Sequence, residues 1–182
     1  MKNNNKKLAN NKELSARILA VQAYYEVLHN EKPLRSVIEE SLERGLQVDD
    51  DDSLAQPHGG LFKKILTSLD ARLVDINEIL AANIHKKEVV APVLVADSSK
   101  DDVESEEGDA VAPESAPAPK KELEPLLKSI LLCGVCELLE HQDIDAPIII
   151  NDYLNVTHFF YEQQQVNFVN GILAKIASGL RE

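Results

Sequence analysis

The chain has 182 residues, 44% of them hydrophobic, enough for one domain with its own core and a linker to spare. Its 19 Lys and Arg against 31 Asp and Glu give a formal charge of -12, so any contact with a polyanion must come from a local basic patch. Two cysteines exclude a disulfide framework, the polar start is unlike a signal peptide, and no apolar run approaches the roughly 20 residues of a membrane helix; secreted, collagen-like and membrane classes are excluded and a cytoplasmic protein is expected.

Residues 1–12 read as a basic flexible arm. Lys2, Lys6, Lys7, Lys12 and Arg17 against Glu13 give residues 1–17 a net charge of +4. A tail of this kind can find polyanions. Leu14, Ile18, Val21, Tyr25 and Leu28 then step by four, three, four and three, one face of a helix. Pro33 and Gly45 bracket a short second helix, with Leu34, Val37, Ile38, Ser41 and Leu42 facing inward. Asp49 to Asp52 and Pro57-His58-Gly59-Gly60 read as loop. Phe62, Ile65, Leu66, Leu69, Leu73, Ile76, Leu80 and Ile84 predict one long amphipathic helix.

Residues 86–122 differ in composition from both flanks. They hold five Lys against ten acids, a net of -5, and turn Pro/Ala-rich after Ala110. Low hydrophobicity and like charge do not offset ordering entropy, so about 97–120 reads as disordered linker. Val89 to Ala96 is the one apolar patch there, and Pro92 argues against a central strand. Beyond the linker, Leu126 to Leu139 is apolar nearly all round, as in a central helix. Pro147 opens the next helix, through Phe160, and a last one runs from about Val166 to Leu180. Two-residue alternation between hairpin turns is absent. The fold class expected is all-α, a bundle of six or seven helices, occupying 13–182 and interrupted by the 86–122 linker.

The candidate chemistry is sparse. Cys133-Gly134-Val135-Cys136 is a C-x-x-C, but it lies inside the most apolar helix. An activated thiol needs an exposed helix N-terminus, and zinc needs two further ligands. Core packing is the expectation. His29, His58, His85, His141 and His158 form no metal-spaced pair, and Gly59-Gly60 lacks the Lys-Ser/Thr of a phosphate loop. An enzyme, a cofactor and a metal are not expected.

The segment from Arg17 to Tyr25 carries more. The lysine arm runs directly into it, and basic residues beside tyrosines clamp a single RNA strand by charge plus stacking. On this reading Lys6, Lys7, Lys12 and Arg17 contact phosphates, and Gln22 or Tyr24 meets bases. The same pattern also suits a solvated tail leading into a core helix that buries Tyr25, and spacing leaves both open. Asn151-Asp152 near the start of a helix suits its dipole. Asn170-Gly171 within a helical pattern suggests a polar junction of the last two helices, with Gly171 permitting close approach and Asn170 needing a partner if buried.

Taken together, these residues resemble the NusB family of bacterial transcription antitermination factors. Arg17 and Val21-Gln22-Ala23-Tyr24-Tyr25 are similar to the end of that family's basic first helix. Glu137-Leu138, Pro147, Ile150-Asn151-Asp152 and Phe168-Val169-Asn170-Gly171-Ile172-Leu173 follow its C-terminal motifs in order and at similar spacing. The resemblance implies two packed three-helix subdomains. It implies binding of boxA RNA together with NusE, a small-subunit ribosomal protein, within an RNA polymerase antitermination complex that reads through ribosomal RNA operons. It marks Tyr25, Glu137, Asn151, Asp152, Phe168, Asn170 and Gly171 as structural or partner-binding. Where the family often carries further arginines, this chain has Glu13, Leu14 and Ser15, which leaves room for the alternative of a helical protein–protein adaptor with little RNA affinity.

Overall fold

The computed structural model describes residues 11–30, 32–44, 55–84 and 123–181. The arm with Lys2, Lys6 and Lys7, the Asp49–Asp52 segment and the 86–122 linker lie outside the described residues.

Seven helices, with no strand among the described residues, make up the fold. They are α1 (Lys12–Asn30), α2 (Leu34–Arg44), α3 (Gly59–Ala71), α4 (Leu73–Asn83), α5 (Pro125–Glu140), α6 (Ala146–Phe160) and α7 (Gln163–Leu180). Their starts follow local chemistry. Asn11 Oδ1 accepts the Glu13 and Leu14 amides, both at 3.0 Å, which caps α1. Glu124 accepts the Leu126 and Leu127 amides at 3.0 and 2.9 Å, and Pro125 supplies the fixed φ of a first helical turn.

The expected single helix over 62–84 is two helices. Arg72, at φ -120 and ψ 18, ends α3 and starts α4. Its N–H still donates to the Ser68 carbonyl and its own carbonyl accepts from Ile76, so the hydrogen-bond ladder runs on through the break. The guanidinium reaches Glu140 at the end of α5, at 3.0 Å. Gly59 and Gly60, expected in a loop, are the first turn of α3. His58 caps that turn, its Nδ1 accepting the Leu61 amide at 3.0 Å.

One hydrophobic core runs through both halves of the chain. Every residue of α1 from Leu14 to Val21 is buried, as is every residue of α5 from Ser129 to Leu138. The two helices pack on each other, and both also pack on α3 and α6. The prediction of a central, enveloped helix therefore holds for α5 and extends to α1. Within α5, Gly134 makes the close packing possible: a β-carbon there would lie 3.1 Å from both terminal methyls of Leu173 and 3.4 Å from the Tyr153 ring. The close approach expected at Gly171 is absent. Gly171 is exposed, with nothing within 4 Å of the place its β-carbon would take, and Asn170 beside it is exposed too.

Arg181 closes the other end. Its guanidinium donates to the carbonyls of Leu138, His141 and Ile144, tying the end of α7 to the α5–α6 turn.

Candidate nucleic-acid interface

Arg17, expected on the surface, is 6% exposed. Its fork meets Glu137 of α5 through two hydrogen bonds, Nε to Oε1 at 2.9 Å and Nη2 to Oε2 at 2.8 Å. Nη1 lies 3.2 Å from Asp152 Oδ2 on α6. The Tyr153 hydroxyl donates to Glu137 Oε1 at 2.7 Å. Two carboxylates thus converge on one guanidinium, and three helices meet there. The sequence pattern missed this because Glu137 lies 120 positions from Arg17. Only the fold brings a buried acid to a buried base.

The electrostatics follow from this packing. Burial works against the Arg17 charge, but Glu137, Tyr153 and Asp152 overcome it and hold the guanidinium more firmly protonated than usual. Burial raises the Asp152 carboxyl above its ordinary range; Arg17 opposes the shift and Glu137 adds to it. Burial, then Glu137, pushes the Tyr153 phenol well up, so it remains a hydrogen-bond donor.

The two tyrosines have opposite fates. Tyr24, expected to meet a base, is 2% exposed and belongs to the core. Burial, with Cys133 the next contributor, raises its ionisation to about 12. Tyr25 instead lies half-buried at the edge of α1, its ring stacked on His29 with centroids 5.4 Å apart and planes 8° apart. Gln22, one turn earlier, is also half-buried. Both line a cleft of about 290 Å³ with Ser41 and Arg44 of α2, Leu126 of α5 and Phe160 of α6. Phe160 packs edge-on against Phe159, with centroids 5.0 Å apart. The Tyr161 hydroxyl donates to Glu124 at the start of α5. Two aromatic rings and an amide line the cleft, the kinds of group on which unstacked bases stack and hydrogen-bond. Phe160 was not singled out from the sequence, because an aromatic pair in an apolar helix reads as core.

The rim of the cleft carries charge of both signs. Glu26 accepts from Arg44 at 2.8 Å and lies 3.9 Å from Lys32, which meets Glu40 at 3.0 Å. Such exposed pairs add little stability, but they offset the local positive charge. Lys12 is exposed at the start of α1. Of the family-motif positions, Asn151, Asn170 and Gly171 are exposed, Asp152 and Phe168 half-buried and Glu137 buried.

Cys133 and Cys136 are free and buried. The Cys136 Sγ lies 3.7 Å from the Ile65 carbonyl. Burial pushes the Cys136 thiol up to about 12 and Cys133 well above its ordinary value. That is the reverse of an activated thiol. Among the described residues, no group of three or more His, Cys, Asp or Glu is placed to hold a metal ion. No helix among them is long and apolar enough to cross a membrane.

The architecture defines an all-helical bundle with a buried ionic junction and a cleft lined in part by Tyr25 and Phe160. The NusB family model matches residues 105–178. The chain is 26% identical to the transcription antitermination protein NusB of Novosphingobium aromaticivorans, over 92% of this chain and 93% of that one. It is 28% identical to the protein of the same name from Rickettsia bellii, over 92% and 90%. Among solved structures, NusB of T. maritima superposes with a TM-score of 0.60 at 16% identity, over 91% of this chain and 89% of that one. A chain of the crystal structure of the antitermination factors NusB and NusE in complex with double-stranded RNA superposes with a TM-score of 0.61 at 14% identity, over 91% and 96%. These two share the fold. The chain is thus similar to NusB proteins over about nine-tenths of its length.

Proposed function

We propose that the protein is a transcription antitermination factor that pairs with NusE to bind boxA-like single-stranded RNA, and that it acts in the cytoplasm within the RNA polymerase antitermination complex on ribosomal RNA operons. It does so as a binding protein and not as an enzyme. The observation that carries this reading is the match to curated antitermination proteins over nine-tenths of the chain. The geometry supplies a mechanism. Tyr25 and Phe160 offer faces for unstacked bases, Gln22 offers an amide to a base edge, and Lys12 with Lys6 and Lys7 of the arm supplies charge for phosphates. Arg17 takes no part in phosphate contact, because two carboxylates hold it inside. The arm at 1–12, the helical domain at 13–182 and the acidic linker at 86–122 are retained as the domain plan.

A second reading is favoured by the sequestering of Arg17 and the charge of -12: a helical protein–protein adaptor with little RNA affinity of its own. A titration of boxA-like RNA against a scrambled RNA, with and without purified NusE, separates the two. The RNA reading expects preference for the boxA-like sequence and a gain on adding NusE. Three lysine contacts imply a salt slope of about -2. Equal binding of both RNAs, or no effect of NusE, makes the protein-only adaptor the better account.

A further inference from the structure

We propose that Asp152, with Arg17 and Glu137, is a positioning residue that sets the register of α1 against α6 and so builds the Tyr25–Phe160 cleft. The inference rests on the RNA-binding reading for its consequence, but its geometry stands apart from it. Arg17 and Tyr25 are eight residues apart on α1; Asp152 and Phe160 are eight residues apart on α6. Eight residues span about 12 Å of helix axis. The first members of the two pairs meet in an ion pair at 3.2 Å, and the second members line one cleft. The two helices therefore run in the same direction and in step, pinned at one end by charge and opening two turns later onto the cleft.

The pin is specific in a way that apolar packing is not. A guanidinium fork donates to its carboxylates with a directional geometry, whereas Leu and Ile side chains tolerate sliding. Glu137 holds the fork from α5, and the Tyr153 hydroxyl holds Glu137, so Asp152 meets a group already fixed. At the far end the Tyr161 hydroxyl ties the end of α6 to Glu124, the cap of α5. Phe160, next to Tyr161, is thus framed from both directions. Asp152 is also the half-buried, least tightly packed member of the junction, so it can be altered with the rest in place.

The sign of the effect separates positioning from charge. Asp152 is an acid near a site proposed to take a polyanion. If it acted only through its charge, Asp152→Asn would strengthen RNA binding by removing a repulsion. Positioning predicts the reverse: weaker binding by between about 3-fold and 30-fold, with the salt slope unchanged. The experiment measures affinity for boxA-like RNA, in the presence of NusE, for the parent, Asp152→Asn and Asp152→Glu. It repeats the pair Asp152/Asn in a Phe160→Leu background and records the Tyr25 and Phe160 ring signals by NMR in the free proteins, well below their melting temperatures. The expected result is weaker binding and shifted ring signals for Asp152→Asn, recovery for Asp152→Glu, and a smaller Asn effect once Phe160 is gone. Stronger binding by Asp152→Asn, unmoved ring signals, or an undiminished effect in the Phe160→Leu background would overturn the proposal. A parent that binds no RNA refutes the functional reading instead, and the ring signals then decide the positioning claim alone.

Discussion

Arg17 and Glu137 face each other across α1 and α5 through two hydrogen bonds of 2.9 and 2.8 Å, with side chains 7% and 1% exposed. A pair so far from water is costly to make and more costly to break on one side, since the abandoned charge stays buried. Arg17→Ala should therefore lower stability by about 3–5 kcal/mol. Replacing Arg17, Glu137 and Tyr153 together by Met, Leu and Phe should recover most of that loss. Urea unfolding of the single and triple variants checks both, and a single variant within about 0.5 kcal/mol of the parent would contradict the buried pairing.

Two glycines in helices should respond to alanine with opposite signs. At Gly134 the new methyl meets Leu173 at 3.1 Å and the Tyr153 ring at 3.4 Å, so crowding should cost about 1–3 kcal/mol. At Gly171 the methyl meets nothing and improves helix propensity, a gain of about 1 kcal/mol. Thermal melts of the two variants decide the matter by direction alone.

The cysteines should be silent at neutral pH. With Cys136 pushed up to about 12 and Cys133 well above its ordinary 9.0, the folded state holds both protons more tightly than the unfolded chain. Their contribution to stability is complete below pH 9 and is lost as pH rises from there towards 12, with Tyr24 adding to the fall from its ordinary 10.0 upward. A thiol reagent at pH 8 should label neither cysteine until the protein is denatured. Rapid labelling of the native protein would show that α5 is not enclosed as described.

Deleting residues 97–120 should leave the fold and its melting temperature nearly unchanged. Its acidic, Ser-, Pro- and Ala-rich composition offers little to a core, and loop-closure entropy changes slowly with loop length. Circular dichroism melts of the shortened chain test this. Loss of a cooperative transition would assign the segment to the structure.

Helical class, the central place of α5 and the packing of the cysteines were legible because burial leaves a direct trace in hydrophobic periodicity. Positions that depend on partners far along the chain were not. Arg17 reads as surface charge until Glu137 is beside it. Tyr24 and Tyr25 are adjacent letters, and about 100° of helical rotation sends one inward and the other to the edge. Gly171 looked like a packing glycine because Gly costs helix stability and so invites a reason, yet the close approach occurs at Gly134, hidden inside a C-x-x-C that drew attention to its sulfurs. The break at Arg72 leaves no signal, since the apolar period runs straight through it.

The placement of α1 has a consequence for assembly. It is made early in synthesis, yet much of what covers it, α5 and α6, comes from beyond the linker. Neither half owns a finished interior. A fragment of residues 122–182 made alone should expose the apolar seat of α1 and aggregate, and a fragment of residues 1–85 should stay loosely packed. Mixed, the two should complement each other into a soluble heterodimer, with the break in the chain falling where the natural chain spends 37 residues on an acidic connection.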